Sequence, residues 1–175
     1  MHAKRLGNLL GAASLAISDR MLNVLTGKTA LNPSAVAVTV VLHELGPMGV
    51  SRLGHCVGLT QPAASRVADL LQRHDLVRRA KSDGRERFIE LTPKGTAAAR
   101  AVLDERARLL NSLLAGLSTD ETAVLERVLD RLLTELYSVV PNSALLCRLC
   151  DRHACTEKAV CPVGQAERDG RQSAP

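Results

Sequence analysis

One phenylalanine (Phe88), one tyrosine (Tyr137) and no tryptophan are all the aromatic side chains in 175 residues. The interior therefore has to be filled mainly by Leu, Val and Ala, within a hydrophobic content of 46%. Such side chains suit layers of packed helices, so the composition favours a mainly helical fold. This apolar content excludes disorder over most of the length. A chain of this size hides roughly two-thirds of its unfolded surface on folding, enough for a real core. The scarcity of rings also argues against binding single-stranded nucleic acid by base stacking, which needs several exposed aromatics.

No run of 18 apolar residues is free of charge, so no membrane-spanning helix is expected. Lys4 and Arg5 precede an apolar stretch around residues 9–17, as at the start of a secretory signal. Asp19 and Arg20 interrupt it and no clear cleavage site follows, so it reads as a structural helix and the protein as cytoplasmic. In that compartment the five cysteines are expected to be reduced, or engaged by a metal or by redox chemistry.

Apolar spacing lays out the chain. Leu6, Leu10, Ala13, Ile17, Met21 and Val24 form one stripe and predict a helix over 4–27. Asn32-Pro33 is an N-cap followed by a first-turn proline, and the helix it opens runs to Leu45, where Gly46-Pro47 stops it. A short helix over 50–57 ends at Gly58, and Thr60 caps another that runs from Gln61 to about His74. Two short helices around a tight glycine-containing turn make a helix-turn-helix. Residues 76–81 and 87–91 then read as two strands joined by a turn at Ser82-Asp83-Gly84. Thr92-Pro93 opens a helix with Leu103, Ala107, Leu110, Leu114 and Leu117 on one seam. Ser118 and Glu121 form a capping box for the next, which carries Leu125, Leu129, Leu132, Leu136 and Val139. Two heptad-like seams and the stripe of the first helix call for a partner, so a homodimer is expected. The tail after Pro141 changes character, and from Glu167 onward it is polar and expected to fray.

The charge is unevenly placed. Residues 49–100 hold ten Lys and Arg against five Asp and Glu, which accounts for the whole net charge of +5. Concentration on one module is the footprint of a polyanion partner. A helix-turn-helix followed by a basic hairpin is a winged helix, and the second helix of the motif presents its N-terminal residues to base edges in the major groove of duplex DNA. Here these are Gln61, Ala63, Ala64, Ser65 and Arg66. Gln can bond adenine, Arg can bond guanine, and Ala can meet a thymine methyl. Thr60 and Ser65 suit phosphate contacts equally well. Arg52, Arg78, Arg79, Lys81 and Arg87 supply backbone charge. Arg85 is placed to enter the minor groove, with Asp83 to orient its guanidinium. The competing reading is a winged helix used for protein contacts alone.

These residues carry a resemblance. Ser51-Arg52-Leu53-Gly54, the run from Gly58 to Arg66, Leu70-Leu71, the run from His74 to Arg79, Asp83-Gly84-Arg85 and Leu91-Thr92-Pro93-Lys94-Gly95 together resemble the MarR family of bacterial winged-helix regulators. Asp75 stands where that family usually has glycine. The resemblance implies homodimers that bind palindromic operators, with the first and last helices forming the dimer layer. It also implies a ligand, metal or oxidant that alters DNA affinity, and a small-molecule pocket between the dimer layer and the winged helix. The division that follows is 1–28 for an N-terminal dimerisation helix and 29–100 for the DNA-binding domain. Residues 101–140 supply C-terminal dimerisation helices, and 141–175 form a cysteine-rich tail.

That tail is an addition to the family plan. Cys147, Cys150, Cys155 and Cys161 lie within fifteen residues, and Pro162 follows the last. Four thiolates can close a structural zinc site or hold an iron–sulfur cluster; His153 could replace one of them. Arg148, Arg152 and Lys158 would lower thiol pKa values, which also suits a reversible disulfide switch. A tail without special chemistry is the remaining alternative. Cys56 reads as a small core side chain, and His43 and His55 as packing or surface residues. No catalytic set is visible: His43-Glu44 lacks the second histidine of a metallohydrolase helix, and no glycine-rich phosphate loop follows a strand. The expected function is sequence-specific DNA binding, most naturally repression. The alternative is a metal or redox sensor whose tail is the primary input and whose DNA affinity is the readout.

Overall fold

Asn32 accepts a hydrogen bond from the Ala35 amide at 2.8 Å, with Pro33 in the first turn, and so opens the helix on which the molecule is built. The computed structural model describes residues 2–29, 31–81 and 87–172. In chain order these form α1 (His2–Thr29), α2 (Pro33–Leu45), β1 (Met48–Gly49), α3 (Val50–Val57), α4 (Gln61–Arg73), β2 (Val77–Lys81) and β3 (Arg87–Leu91). There follow α5 (Pro93–Leu114), α6 (Thr119–Val139), α7 (Ser143–Leu146), α8 (Arg152–Thr156) and α9 (Pro162–Gln172). The fold is mainly helical and carries a winged helix-turn-helix.

Every residue of α2 from Ala35 to Leu42 is buried. A helix apolar all round has to sit inside, and α1, α3, α4, α5 and β3 all pack around this one. Its one buried hydroxyl, Thr39, donates to the Ala35 carbonyl at 2.8 Å and leaves nothing unsatisfied. Leu53, Leu71, Val77, Ile89, Val102 and Leu103 complete an aliphatic core.

The three strands form an antiparallel sheet in the order β1-β3-β2, with Met48 opposite Ile89 and Val77 opposite Leu91. The two-residue β1 had no signal in the sequence, being too short to show a period. Where the sheet meets α5, Thr92 does three things. Its hydroxyl donates to the Asp75 carbonyl at 2.7 Å and accepts from the Gly95 amide at 3.0 Å, while its own amide donates to the Leu76 carbonyl at 3.0 Å. Lys94 adds a bond from Nζ to the His74 carbonyl at 2.9 Å. Asp75 takes the left-handed conformation, φ 59°, that its place between α4 and β2 requires.

α6 begins with the expected capping box of Ser118 and Glu121, yet buries none of its residues. Residues 4–20 of α1 are likewise exposed. Leu6, Leu10, Ile17, Leu113, Leu117, Leu129, Leu136 and Val139 therefore stand as large apolar side chains in water.

The tail departs from the expectation of fraying beyond Glu167. α9 continues to Gln172 because Val163 is buried at its start and its polar residues bond one another. Glu167 accepts from the Ser143 hydroxyl at 2.8 Å and from Arg171 at 2.7 Å, which holds its carboxyl below the usual range. Arg168 donates to Gln165 at 2.7 Å.

The Thr92 junction sets a testable demand. A Cβ added at Gly95 would overlap the Leu76 backbone carbonyl, whereas one at Gly116 would meet nothing within 4 Å. Gly95→Ala should therefore cost roughly 2–3 kcal/mol in thermal or urea unfolding. Gly116→Ala should be neutral or stabilising by roughly 0.4–1 kcal/mol. Equal stability of the two variants would mean that the junction is not tightly packed.

Candidate nucleic-acid interface and cysteine cavity

The helix-turn-helix is held from inside. Leu53, Cys56 and Val57 of α3 and Ala64, Ala68 and Leu71 of α4 face the core. Gly58 ends α3 in the left-handed conformation, φ 71°, and the Leu59 amide donates to the Gly54 carbonyl at 2.9 Å to close the turn. The opposite face of α4 is left to solvent: Gln61 and Arg66 are exposed, and Ala63 and Ser65 are partly so. Thr60 occupies the N-cap position without a side-chain capping bond. Arg52 is exposed on α3.

One of the named N-terminal residues of α4 is corrected. Ala64 is fully buried and lies opposite Gly54, so it joins the two helices and cannot meet a base.

The basic hairpin is less free than its sequence suggests. Arg79 Nη2 bonds the Asp69 carboxylate on α4 at 2.6 Å, tying β2 to that helix. Arg78 Nε bonds Glu90 at 2.6 Å, directly across the strand pair. Exposed pairs of this kind add little stability, but each neutralises a cation expected to be available to a partner. Asp83 and Arg85 lie outside the described residues, as do the side chains of Lys81 and Arg87. Arg73, which carries no role in the reading of the sequence, is exposed in the last turn of α4.

A cavity of about 450 Å³ opens between α1, α5 and the segment linking α4 to β2. Leu25, Leu31, Leu76 and Val102 give it apolar walls, and Lys94 lines it with the ion pair of Arg108 and Glu105, 2.7 Å apart.

The four tail cysteines do come together. All are free thiols, and all line one cavity of about 160 Å³ with Arg152, Glu167 and Arg168. A hydrogen bond between Cys147 and Cys150 favours the thiolate of Cys150, which Arg106 and Arg152 also favour. The same bond, with burial, pushes the Cys147 thiol up. Burial and its two cysteine neighbours, Cys161 and Cys150, raise Cys155. Among the described residues no three His, Cys, Asp or Glu side chains converge to grip one metal ion. Cys56 is apart from this group, buried in the core, and its thiol is raised by burial.

Arg106 was missed in the sequence. Its Nε is buried without a hydrogen-bond partner. The available signal was a cation one position from the α5 seam, three residues after buried Leu103.

The tail also reaches back to the helix-turn-helix. Asn142 Nδ2 donates to the His55 carbonyl at 2.9 Å, and the Arg152 amide donates to Glu44 of α2 at 2.9 Å. Leu149 joins the main core, and the Leu145 side chain lies against Gly58.

Comparison with known proteins agrees with this architecture. The sequence model of the MarR family matches residues 31–87. The transcriptional repressor MprA of Escherichia coli (strain K12) is 31% identical over 106 residues, which is 59% of this chain and 58% of that protein. This chain thus spans little more than half the length of that relative. The HTH-type transcriptional regulator MhqR of Bacillus subtilis (strain 168) is 27% identical over 125 residues, 70% of this chain and 86% of MhqR. The structure of a MarR family protein from Bacillus stearothermophilus superposes with a TM-score of 0.69 at 25% identity, covering 77% of this chain and 94% of that one. The winged helix thus matches the MarR family over residues 31–87, and the helices around it are arranged as in a solved structure of that family.

Proposed function

We propose that this chain is a sequence-specific DNA-binding transcriptional repressor, not an enzyme, acting in the cytoplasm as a homodimer on a pseudo-palindromic operator. The observation that carries the reading is the outward face of α4. Gln61 and Arg66 stand exposed on it while its other face is locked into the core. A rigidly backed helix with one Gln and one Arg free at its N-terminal half is suited to reading base edges. Thr60, Ser65 and Arg52 flank it as phosphate contacts, and Ala63 is left as the methyl-contacting residue. Arg85 and Asp83 keep their proposed wing roles, with Lys81 and Arg87 as backbone charge. Arg78 and Arg79 are assigned instead to holding the wing, because both are ion-paired.

The dimer is supported by the exposed apolar surface of α1, α5 and α6. A surface this apolar marks an interface, and a dimer that reads two half-sites needs its two α4 helices about 34–36 Å apart, one turn of DNA. The 450 Å³ cavity beside α5 is suited to a small, largely apolar effector, since Leu25, Leu31, Leu76 and Val102 wall it and the charges of Arg108 and Glu105 at its edge offset each other. The cysteine cavity favours a second input, with the state of residues 147–161 setting DNA affinity.

Fluorescence anisotropy on DNA selected from a random duplex pool tests the reading. Binding should weaken with salt, and Arg66→Ala should cost roughly 1–3 kcal/mol and relax the preference at one base pair. Arg52→Ala should weaken all duplexes alike and lower the salt slope by about one. A protein that selects no duplex and shows no salt-dependent binding would leave the adaptor reading in its place. Sedimentation should give a dimer, and Leu129→Glu with Leu136→Glu should give monomers. A dimer that survives both substitutions would remove α6 from the interface.

A further inference from the structure

Four cysteines close in sequence face a common enclosure, and the form of that enclosure discriminates between the chemistries that four thiols allow. A structural zinc needs its sulfurs drawn to about 2.3 Å from one point. Here all four thiols border a cavity of about 160 Å³, several times the roughly 30 Å³ that a water occupies in the liquid. The thiols stand in two hydrogen-bonded pairs, Cys147 with Cys150 and Cys155 with Cys161, and among the described residues no three of them close on one ion. An iron–sulfur cluster takes four cysteines around a body with volume of its own, for which this cavity has room.

The surroundings carry the matching charge. A cluster ligated by four thiolates is an anion, because each cysteine gives up its proton on binding. Arg152 and Arg168 line the cavity, and Arg106 of α5 bears electrostatically on Cys150 and Cys155. The Arg106 Nε is buried and has no acceptor, a costly arrangement for a charged donor unless a negative group completes it. Hydrogen bonds to cluster sulfur and nearby charge are what such a site needs. The Gly164 amide already points at Cys161 Sγ, 3.5 Å away. Glu167 also lines the cavity, but its carboxylate is held by Ser143 and Arg171.

The position of the site gives it a consequence. The segment entering it is fastened to the helix-turn-helix at two places: Asn142 on the His55 carbonyl, and Leu145 against Gly58 in the turn itself. α9, which leaves it, packs on α6. We infer that Cys147, Cys150, Cys155 and Cys161 hold an iron–sulfur cluster that pins residues 142–152 against the α3–α4 turn. This goes beyond the proposed repressor function and is independent of it, since the site can hold a cluster whether or not the protein binds DNA.

The experiment is purification of the whole 175-residue chain without oxygen, with iron, zinc and acid-labile sulfide measured before any DNA is added. The protein should be brown, with iron and sulfide in about equal amounts and negligible zinc. Replacing all four tail cysteines with serine should abolish colour, iron and sulfide, whereas Cys56→Ser should retain them. If the fourfold variant does not fold, the metal content of the wild type still decides. A colourless protein with stoichiometric zinc, or one that binds no iron even after anaerobic incubation with ferrous iron and sulfide, would overturn the assignment. Amide hydrogen exchange on clustered and cluster-free protein tests the pin. Exchange should quicken over residues 55–60 and 142–152 when the cluster is removed, and identical exchange would refute the link to the turn. Anisotropy on the cluster-free variant reads DNA binding separately, so loss of one property cannot be mistaken for loss of the other.

Discussion

α2 has no face to give to water. Its apolar residues from Ala35 onward must all be covered, and no single neighbour can cover a helix on every side. The first helix α1, the first motif helix α3, the exposed-faced α4, the wing strand β3 and the long α5 are each recruited to one part of its circumference. The near-absence of aromatics makes this arrangement workable. Small aliphatic side chains let the surrounding helices approach closely, and their fit depends on interdigitation instead of large flat rings. The orientation of the DNA-facing helix is thus a by-product of burying another helix. Its inward residues, Ala64, Ala68 and Leu71, are committed to the core, and its outward residues are free to differ without changing the fold.

Much of this was legible because the informative interactions are local. Asn32, Thr92 and Ser118 each announce a helix start by a side chain that bonds an amide three residues on, and the helices between them keep strict apolar spacing. The left-handed turn at Asp75 was readable only through the family resemblance, which puts glycine at that position. What was not legible depends on distance in sequence. Nothing near Arg79 in the chain says that Asp69 will take its charge, or that Glu90 will face Arg78 across a register fixed by the whole sheet. Ala64 looks like any small residue on a helix until α3 is laid against it. The order of α9 hangs on Ser143, which lies twenty-four residues from Glu167, so a polar segment that reads as frayed acquires a fixed place. The grouping of the four cysteines was readable from spacing, but Arg106 beside them was not, because it arrives from another helix.

The tail changes the mechanical character of the module. In the core of the fold the helix-turn-helix and the long helices α1 and α6 are joined through α2 and α5. Residues 142–172 provide a second path, which leaves α6, touches the turn between α3 and α4, and returns to α6 through α9. Two connections between the same bodies restrict their relative rotation more than one does. Anything that stiffens or loosens the second path acts on how α3 and α4 sit relative to α6 without touching the outward face of α4. Population shifts of this kind need only a difference in affinity between two arrangements.

Tyr137 sits alone near the end of α6, partly buried. With no tryptophan anywhere, that one phenol supplies nearly all of the polypeptide's own near-ultraviolet absorbance and emission. The helix-turn-helix and α2 carry no aromatic ring, the wing strand β3 only Phe88, and α6 is the part of the polypeptide that such light can see. Its emission reports on the company kept by α6, and tryptophan placed elsewhere would be read against an almost dark background.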